Sequence, residues 1–194
     1  MKGRGGAPAT GMRAQLHSRA LRLRVVLAGA ISAIALTLLG VSGIAKAVSP
    51  HSAVIALKAL RFPANLWVVR TMGVGELVIA TFGLVQGGIW LLAGALAYVS
   101  FGAFVGLALA RGLSLESCGC FGARQTPPTV LHIVYNTTAA IAILVTFAIG
   151  DVPIPWGAPP IEIFLFVSLT AIGAYLSYLL LVDLPELAQL SLGS

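Results

Sequence analysis

Long apolar runs dominate the pattern of hydrophobic and polar positions in this chain. Four runs contain no Lys, Arg, Asp or Glu, and each reaches about the 20 residues that a helix needs to cross a bilayer. These runs cover residues 25–45, 89–110, 130–149 and 163–182. A fifth run is interrupted by Arg70 and Glu76, and we include it because a long basic side chain can extend to the membrane interface.

The pattern therefore predicts an all-α integral membrane bundle, with spans at about 25–45, 66–85, 89–110, 130–149 and 161–182. The transmembrane domain is expected over residues 22–182. Residues 1–21 are a basic leader that we expect to be disordered, and residues 183–194 are a short tail. Five spans place the two ends of the chain on opposite sides of the membrane.

Composition and charge agree with a membrane protein. The chain is 58% hydrophobic and 9% charged, whereas soluble domains carry about 25% charged residues. Six of the basic residues behind the net charge of +6 precede the first span. Basic residues before a first membrane span are explained by membrane orientation, because they favour the cytoplasmic side. We therefore expect no nucleic-acid partner. The first span is too long for a signal peptide, and we expect it to be retained.

Basic residues also predict the orientation. Six lie before the first span and six lie in segments on the opposite side of the membrane. Arg19, Arg22 and Arg24 are closest to a span, and the first helix usually dominates orientation. We therefore predict a multi-pass cell-membrane protein with a cytoplasmic N-terminus and an extracytoplasmic loop after the third span.

A carboxylate within a span needs a partner or a proton, because it costs roughly 2.5–3.5 kcal/mol on insertion scales. Glu76 lies in a stripe of small residues suited to close helix contact, which includes Gly73, Ala80 and Gly83. A matching stripe in the first span ends beside Lys46 and includes Gly29, Ala33, Gly40 and Gly43. We predict a Lys46–Glu76 ion pair, which either locks two helices together or takes part in redox or proton chemistry.

Further polar and small residues occur at helical spacing. His132, Tyr135 and Asn136 share one face at the start of the fourth span, where they either join helices or tune nearby thiols. The third span carries a seam of small residues, Gly102, Gly106 and Ala110. Between the first two spans, the segment bracketed by Pro50 and Pro63 suits a short helix at the membrane interface.

Both cysteines of the chain, Cys118 and Cys120, lie in the stretch SLESCGCFG. A structural zinc site needs four ligands, and His132 would supply at most a third, so we assign no metal. Buried, unreactive thiols are disfavoured by the polar and glycine-rich surroundings. Gly119 suits a small disulfide ring, whose strain makes the bond easy to reduce, and Arg111, Arg124 and His132 are candidates to stabilise a thiolate.

Three motifs stand out together: SCGCFG after the third span, GVSGIAK at the end of the first and GVGELV in the second. In combination they resemble the MauE family of methylamine utilisation membrane proteins, which are related to DoxX-like four-helix proteins. The resemblance extends from about residue 22 to 149 and implies a DoxX-like four-helix core, to which this chain adds a fifth, C-terminal span.

The resemblance implies thiol–disulfide chemistry outside the cytoplasm, in maturation of the disulfide-rich small subunit of methylamine dehydrogenase. Carried onto this chain, it points to Cys118 and Cys120 as the catalytic pair and to Lys46 and Glu76 as the matching charged positions. The implied partner is a thioredoxin-like protein or a disulfide-containing client. A membrane thiol–disulfide oxidoreductase is therefore the preferred hypothesis, and a quinone is a candidate cofactor that no motif identifies.

Two other functions compete with this hypothesis. The first is a non-catalytic scaffold or assembly subunit of a membrane complex, in which the small-residue stripes and Glu76 serve packing. The second is a transporter with Glu76 as its ion site, which has little support because no pair of broken helices is apparent.

Overall fold

The computed structural model describes residues 8–113, 128–150, 153–154 and 156–192. Within these residues the secondary structure is helical, with no strand. The helices are α1 (Pro8–Val48), α2 (His51–Ala59), α3 (Leu66–Val85), α4 (Ile89–Ala110), α5 (Val130–Ile149) and α6 (Pro160–Leu192). Cys118 and Cys120 lie outside the described residues.

Five of these helices contain a segment long and apolar enough to cross a membrane, which confirms the predicted fold class. The segments are Leu27–Val48, Leu66–Val85, Ile89–Ala110, Val130–Ile149 and Pro160–Asp183. Large apolar side chains on the outer faces remain exposed, for example Trp67, Leu96 and Phe164, as expected where lipid replaces water. Helix α1 begins at Pro8, inside the predicted leader, and the division into leader, bundle and tail remains a prediction.

Helix α1 is the central element of the bundle. It contacts α3, α5 and α6, while α4 packs mainly on α5. Leu36 of α1 is fully buried in the main apolar cluster together with Leu91 and Ile143. A Cβ atom added at Gly83 would lie 3.2 Å from the Leu36 side chain, and one at Gly94 would lie 3.0 Å from it. These glycines of α3 and α4 therefore leave room for Leu36.

Helices α1 and α3 approach each other closely at two glycines. A Cβ atom added to Gly43 would lie 2.5 Å from the carbonyl oxygen of Gly73, and one added to Gly73 would lie 2.6 Å from that of Gly43. Gly40 continues the contact, since its added Cβ would lie 3.4 Å from Ala80. The predicted small-residue contact is thus present, but Gly29 is not part of it because nothing lies within 4 Å of its added Cβ.

The predicted seam between α4 and α5 is looser. A Cβ atom at Gly102 would lie 3.5 Å from that of Asn136, and one at Gly106 would lie 3.9 Å from Ile133. Both are ordinary contact distances, and Ala110 at the end of the seam is exposed. The small residues of α4 therefore permit packing on α5 without forcing backbone contact.

The short helix predicted between the two prolines is present as α2. Its buried Ala53 and Val54 pack with Val69 of α3. Leu60, just after α2, packs with Ala108 near the end of α4, and the Arg111 guanidinium donates to the Leu60 carbonyl oxygen at 3.3 Å. Helix α2 is therefore joined to both α3 and α4.

Because the Gly43–Gly73 contact leaves no space for a side chain, we expect Gly73→Ala to destabilise the bundle. Gly75→Ala is the matched control on the same helix, since nothing lies within 4 Å of its added Cβ. Alanine is favoured over glycine in a helix by about 1 kcal/mol, so the control should be neutral or slightly stabilising. The measurement is the thermal unfolding midpoint of both variants in detergent, and equal midpoints would contradict the predicted close contact.

Candidate functional site

The charged residues of α1 and α3 form the predicted ion pair. Lys46 Nζ lies 2.8 Å from both Oε1 and Oε2 of Glu76. Each side chain is only 7% exposed, so the pair is held inside the protein. Each charged residue also packs against a glycine of the other helix. An added Cβ at Gly43 of α1 would lie 3.1 Å from Cβ of Glu76, and one at Gly73 of α3 would lie 3.0 Å from Cβ of Lys46.

A serine completes this charged cluster. Lys46 Nζ donates to Ser42 Oγ at 2.7 Å, and Ser42 Oγ donates to Glu76 Oε2 at 3.2 Å. Ser42 was not predicted from the sequence, although it precedes Lys46 by four residues and so lies on the same face of the helix. The three side chains form a closed hydrogen-bonded group, in which the lysine's three N–H donors have three acceptor atoms.

An aromatic ring of α4 also contacts the lysine. Lys46 Nζ lies 4.7 Å from the centroid of the Phe101 ring, within the range of a cation–π interaction. No polar signal in the sequence marks Phe101, since it lies inside an uninterrupted apolar run. Through Phe101, the charged cluster of α1 and α3 is also connected to α4.

The polar face predicted at the start of α5 points into the bundle. His132 is 3% exposed and Asn136 is 8% exposed. Asn136 donates to the backbone carbonyl oxygen of His132 at 2.7 Å. His132 Nδ1 accepts from the backbone N–H of Thr129 at 3.3 Å and lies 2.9 Å from its hydroxyl. The Thr129 side chain also accepts from the backbone N–H of His132, and the two reciprocal bonds between Thr129 and His132 form a capping box that fixes the first turn of α5.

The other nitrogen of this histidine has no such bond. His132 Nε2 is buried without a hydrogen-bond partner among the described residues. His132 also lines a cavity of about 30 Å³, together with Ser42, Tyr135 and Asn136. That volume accommodates about one or two water molecules. The cavity therefore brings the polar face of α5 next to the charged cluster through Ser42.

Tyr135 connects three helices. The centroid of its ring lies 6.3 Å from that of Tyr98 in α4, and the Tyr98 hydroxyl donates to the backbone carbonyl oxygen of Ala35 in α1. A separate buried hydrogen bond of 2.8 Å joins Ser32 of α1 to Thr146 of α5. Polar contacts between helices therefore extend along much of α1, which favours the packing interpretation of the α5 face.

The cysteines themselves fall in the part of the chain that the structure does not describe, as does Arg124. The described segments stop at Leu113 and resume at Pro128, on either side of the cysteine segment. Arg111, one candidate to stabilise a thiolate, instead donates to the carbonyl oxygen of Leu60. The predicted roles of these residues near the thiols remain predictions.

We expect Lys46→Met and Glu76→Gln each to lower the amount of folded protein, because each leaves a buried partner unpaired, at a penalty of about 3–5 kcal/mol. The double variant should recover part of the loss, since it removes both charges. Thermal unfolding of the four proteins in one detergent gives the coupling energy of this double-mutant cycle. Strictly additive losses would show that the two side chains do not interact.

Comparison with known protein families matches residues 23–150, about two-thirds of the chain, to the family described as methylamine utilisation protein MauE. The comparisons with curated proteins and with solved structures gave no significant match. The matched range contains the charged cluster, the polar face of α5 and both cysteines, and ends before α6. The chain therefore belongs to the MauE family.

Proposed function

We propose that this membrane protein performs thiol–disulfide exchange outside the cytoplasm, with Cys118 and Cys120 as its reactive pair. The observation that carries the proposal is membership of the MauE family over a range that includes both cysteines. The family description concerns methylamine utilisation, and on that basis the proposed client is the small subunit of methylamine dehydrogenase. The proposed exchange partner is a separate thioredoxin-like protein, because this chain has no C-x-x-C motif.

The proposed reaction is an exchange without net loss of electrons. A thiolate of the pair attacks a disulfide sulfur of the partner, forming a mixed disulfide and releasing one partner thiolate. The second cysteine then attacks the mixed disulfide, which leaves a Cys118–Cys120 disulfide and a reduced partner. The reverse sequence oxidises the partner, and the relative reduction potentials set the direction.

The buried polar residues have a positioning role in this proposal. The charged cluster of Lys46, Glu76 and Ser42 holds the end of α1 against α3, and the lysine also contacts α4. His132 fixes the first turn of α5 through its capping box. Since the cysteine segment connects α4 to α5, these contacts set the positions of the helix ends between which the thiols lie.

A non-catalytic scaffold is the second candidate, and the packing contacts favour it. The Gly43–Gly73 contact and the fully hydrogen-bonded Lys46–Glu76 pair both stabilise a helix bundle without requiring a reaction. A scaffold does not depend on its thiols. Replacing both cysteines by serine therefore separates the two functions, since client maturation persists for a scaffold and fails for an exchange protein.

For orientation, we expect a membrane-impermeant maleimide to label reduced Cys118 and Cys120 in intact cells. The cysteine segment follows the third span counted from a cytoplasmic N-terminus, so it faces outward. The double Cys→Ser variant is the control for specific labelling. Labelling that appears only after the membrane is broken would place the segment in the cytoplasm.

For exchange, we expect Cys120→Ser to accumulate a mixed disulfide with a small thioredoxin-like protein, because the attacking Cys118 remains while the resolving thiol is absent. Cys118 is the proposed attacker since it lies in the polar half of the segment, whereas Cys120 precedes Phe121. The measurement is non-reducing electrophoresis followed by mass spectrometry of the adduct.

Cys118→Ser and the double variant serve as controls for this trapping experiment. Neither should form the adduct, and reductant should release the partner from Cys120→Ser. Accumulation in Cys118→Ser alone would reverse the assignment of the two roles. If neither single variant traps a partner and both mature the client normally, the scaffold replaces the exchange function.

A further inference from the structure

A cavity of about 410 Å³ lies between the last turn of α1, helix α2, the first half of α3 and the second half of α4. Pockets that bind small molecules typically measure about 300–1,000 Å³. Its lining is apolar apart from Lys46 and Ser100, and both polar groups are already bonded within the protein. The Lys46 ammonium is held by Ser42 and Glu76, and the Ser100 hydroxyl donates to the carbonyl oxygen of Leu96. The cavity therefore suits an apolar ligand.

The cavity opens on the outer surface of the membrane spans. Met72 of α3 and Ala103 of α4 line it and are exposed. From Ser100 to Leu107 its lining follows α4 for seven residues, or about 10 Å along the helix axis. An apolar cavity without an occupant forfeits dispersion contacts along its lining. An acyl chain that enters between α3 and α4 restores these contacts, because the cavity is elongated along the helices.

Three basic residues lie where the lining of the cavity reaches the end of the bundle. Lys58 and Arg61 are the immediate neighbours of two lining residues, Leu57 and Phe62. Arg111, at the end of α4, lies beside them, because its guanidinium donates to the carbonyl oxygen of the residue that precedes Arg61. All three basic residues are exposed, and none forms an ion pair with a carboxylate in the part of the chain that the structure describes.

These positive charges are at the depth of the lipid head groups. Lys58 and Arg61 fall between the first two spans, and Arg111 follows the third, so each lies at an end of the apolar core of the membrane. Clustered basic side chains at this depth attract anionic lipids, and a guanidinium forms paired hydrogen bonds with phosphate. Because acyl chains surround every span, the cavity alone does not distinguish one lipid from another. The charge of the head group does.

We propose that the cavity and its three basic neighbours bind one anionic phospholipid, with an acyl chain in the cavity and the phosphate beside Lys58, Arg61 and Arg111. The site goes beyond the proposed exchange function and does not depend on the thiols, so either can fail without the other. Because the chain contacts α2, α3 and α4 together, the bound lipid also stabilises the end of the bundle that precedes the cysteine segment.

The test of the head group is native mass spectrometry of the full chain, delipidated in detergent and titrated with phosphatidylglycerol or with phosphatidylcholine of identical chains. The wild type should bind one phosphatidylglycerol, with an affinity higher than that for phosphatidylcholine by about tenfold or more. Lys58→Gln/Arg61→Asn should lose this preference. Asparagine is chosen because Arg61 has a φ of 64°, which asparagine tolerates. Lys58→Arg/Arg61→Lys is the matched control, since it keeps both charges and should keep the preference.

The test of the cavity uses Ala103→Phe, which places a ring in the opening from an exposed position, so the bundle should still fold. Its affinity for phosphatidylglycerol should fall by about tenfold or more. Ala148→Phe is the control, because Ala148 is exposed on α5 outside the cavity, and it should retain the affinity of the wild type. The thermal unfolding midpoint without lipid checks that both variants are folded. Added phosphatidylglycerol should raise the midpoint of Ala148→Phe more than that of Ala103→Phe.

Several results would overturn the lipid site. Equal affinities of the wild type for the two lipids would remove the role of the basic residues, and equal affinities of Ala103→Phe and Ala148→Phe would remove that of the cavity. Displacement of the lipid by inorganic phosphate would show a phosphate site that needs no acyl chain. A dimer that excludes lipid would assign the cavity to a second copy of the chain. The double Cys→Ser variant should bind phosphatidylglycerol as the wild type does, whatever the outcome for thiol exchange.

Discussion

The ion pair between Lys46 and Glu76 is the interaction on which the arrangement of the bundle depends. Two charges removed from water are tolerated only when their geometry and their remaining hydrogen bonds offset the loss of solvation. Here both carboxylate oxygens accept from the ammonium, and Ser42 hydrogen-bonds to both partners. Rotating α1 or α3 away from this contact would leave a buried charge without its partner, so the pair specifies how the two helices meet.

The glycines make this geometry accessible. Gly43 precedes Lys46 by three residues and Gly73 precedes Glu76 by three, so each glycine and its charged residue lie on one face of their helix. The backbones touch at the glycines, and each charged residue packs beside the glycine of the opposite helix. Close approach and charge pairing therefore depend on the same two short motifs, GIAK and GVGE, within the matched family range.

Much of this arrangement could be predicted from the sequence, because membrane helices leave a strong signal in length and composition. The ion pair was also predictable, since a buried Glu76 required a partner and Lys46 followed the matching stripe of small residues. The stripe failed at Gly29 because periodicity assigns a face but not the length of a contact. Gly83, close to the end of α3, packs against Leu36 of α1. Gly29 precedes Leu36 by seven residues, or about 10 Å along the helix axis, so it lies beyond the end of α3.

Ser42 and Phe101 were missed for a different reason. A serine in a membrane helix often bonds to its own backbone, as Thr37 does to the carbonyl oxygen of Ala33, so its presence near Lys46 does not identify a partner. A phenylalanine in an apolar run gives no polar signal at all. Both residues gain their significance only from the packing of α1, α3 and α4, which single-sequence periodicity does not determine.

Phe101 and the Ser42–Lys46 hydrogen bond lie between two cavities among the described residues. Phe101 borders a cavity of about 410 Å³ that Lys46 also lines, and it borders the smaller cavity that Ser42 and His132 line. A shift of the Phe101 ring therefore changes the shape of both cavities and the contact with the ammonium at once. The residues that stabilise the end of the bundle preceding the cysteine segment are thus the same residues that border its interior space.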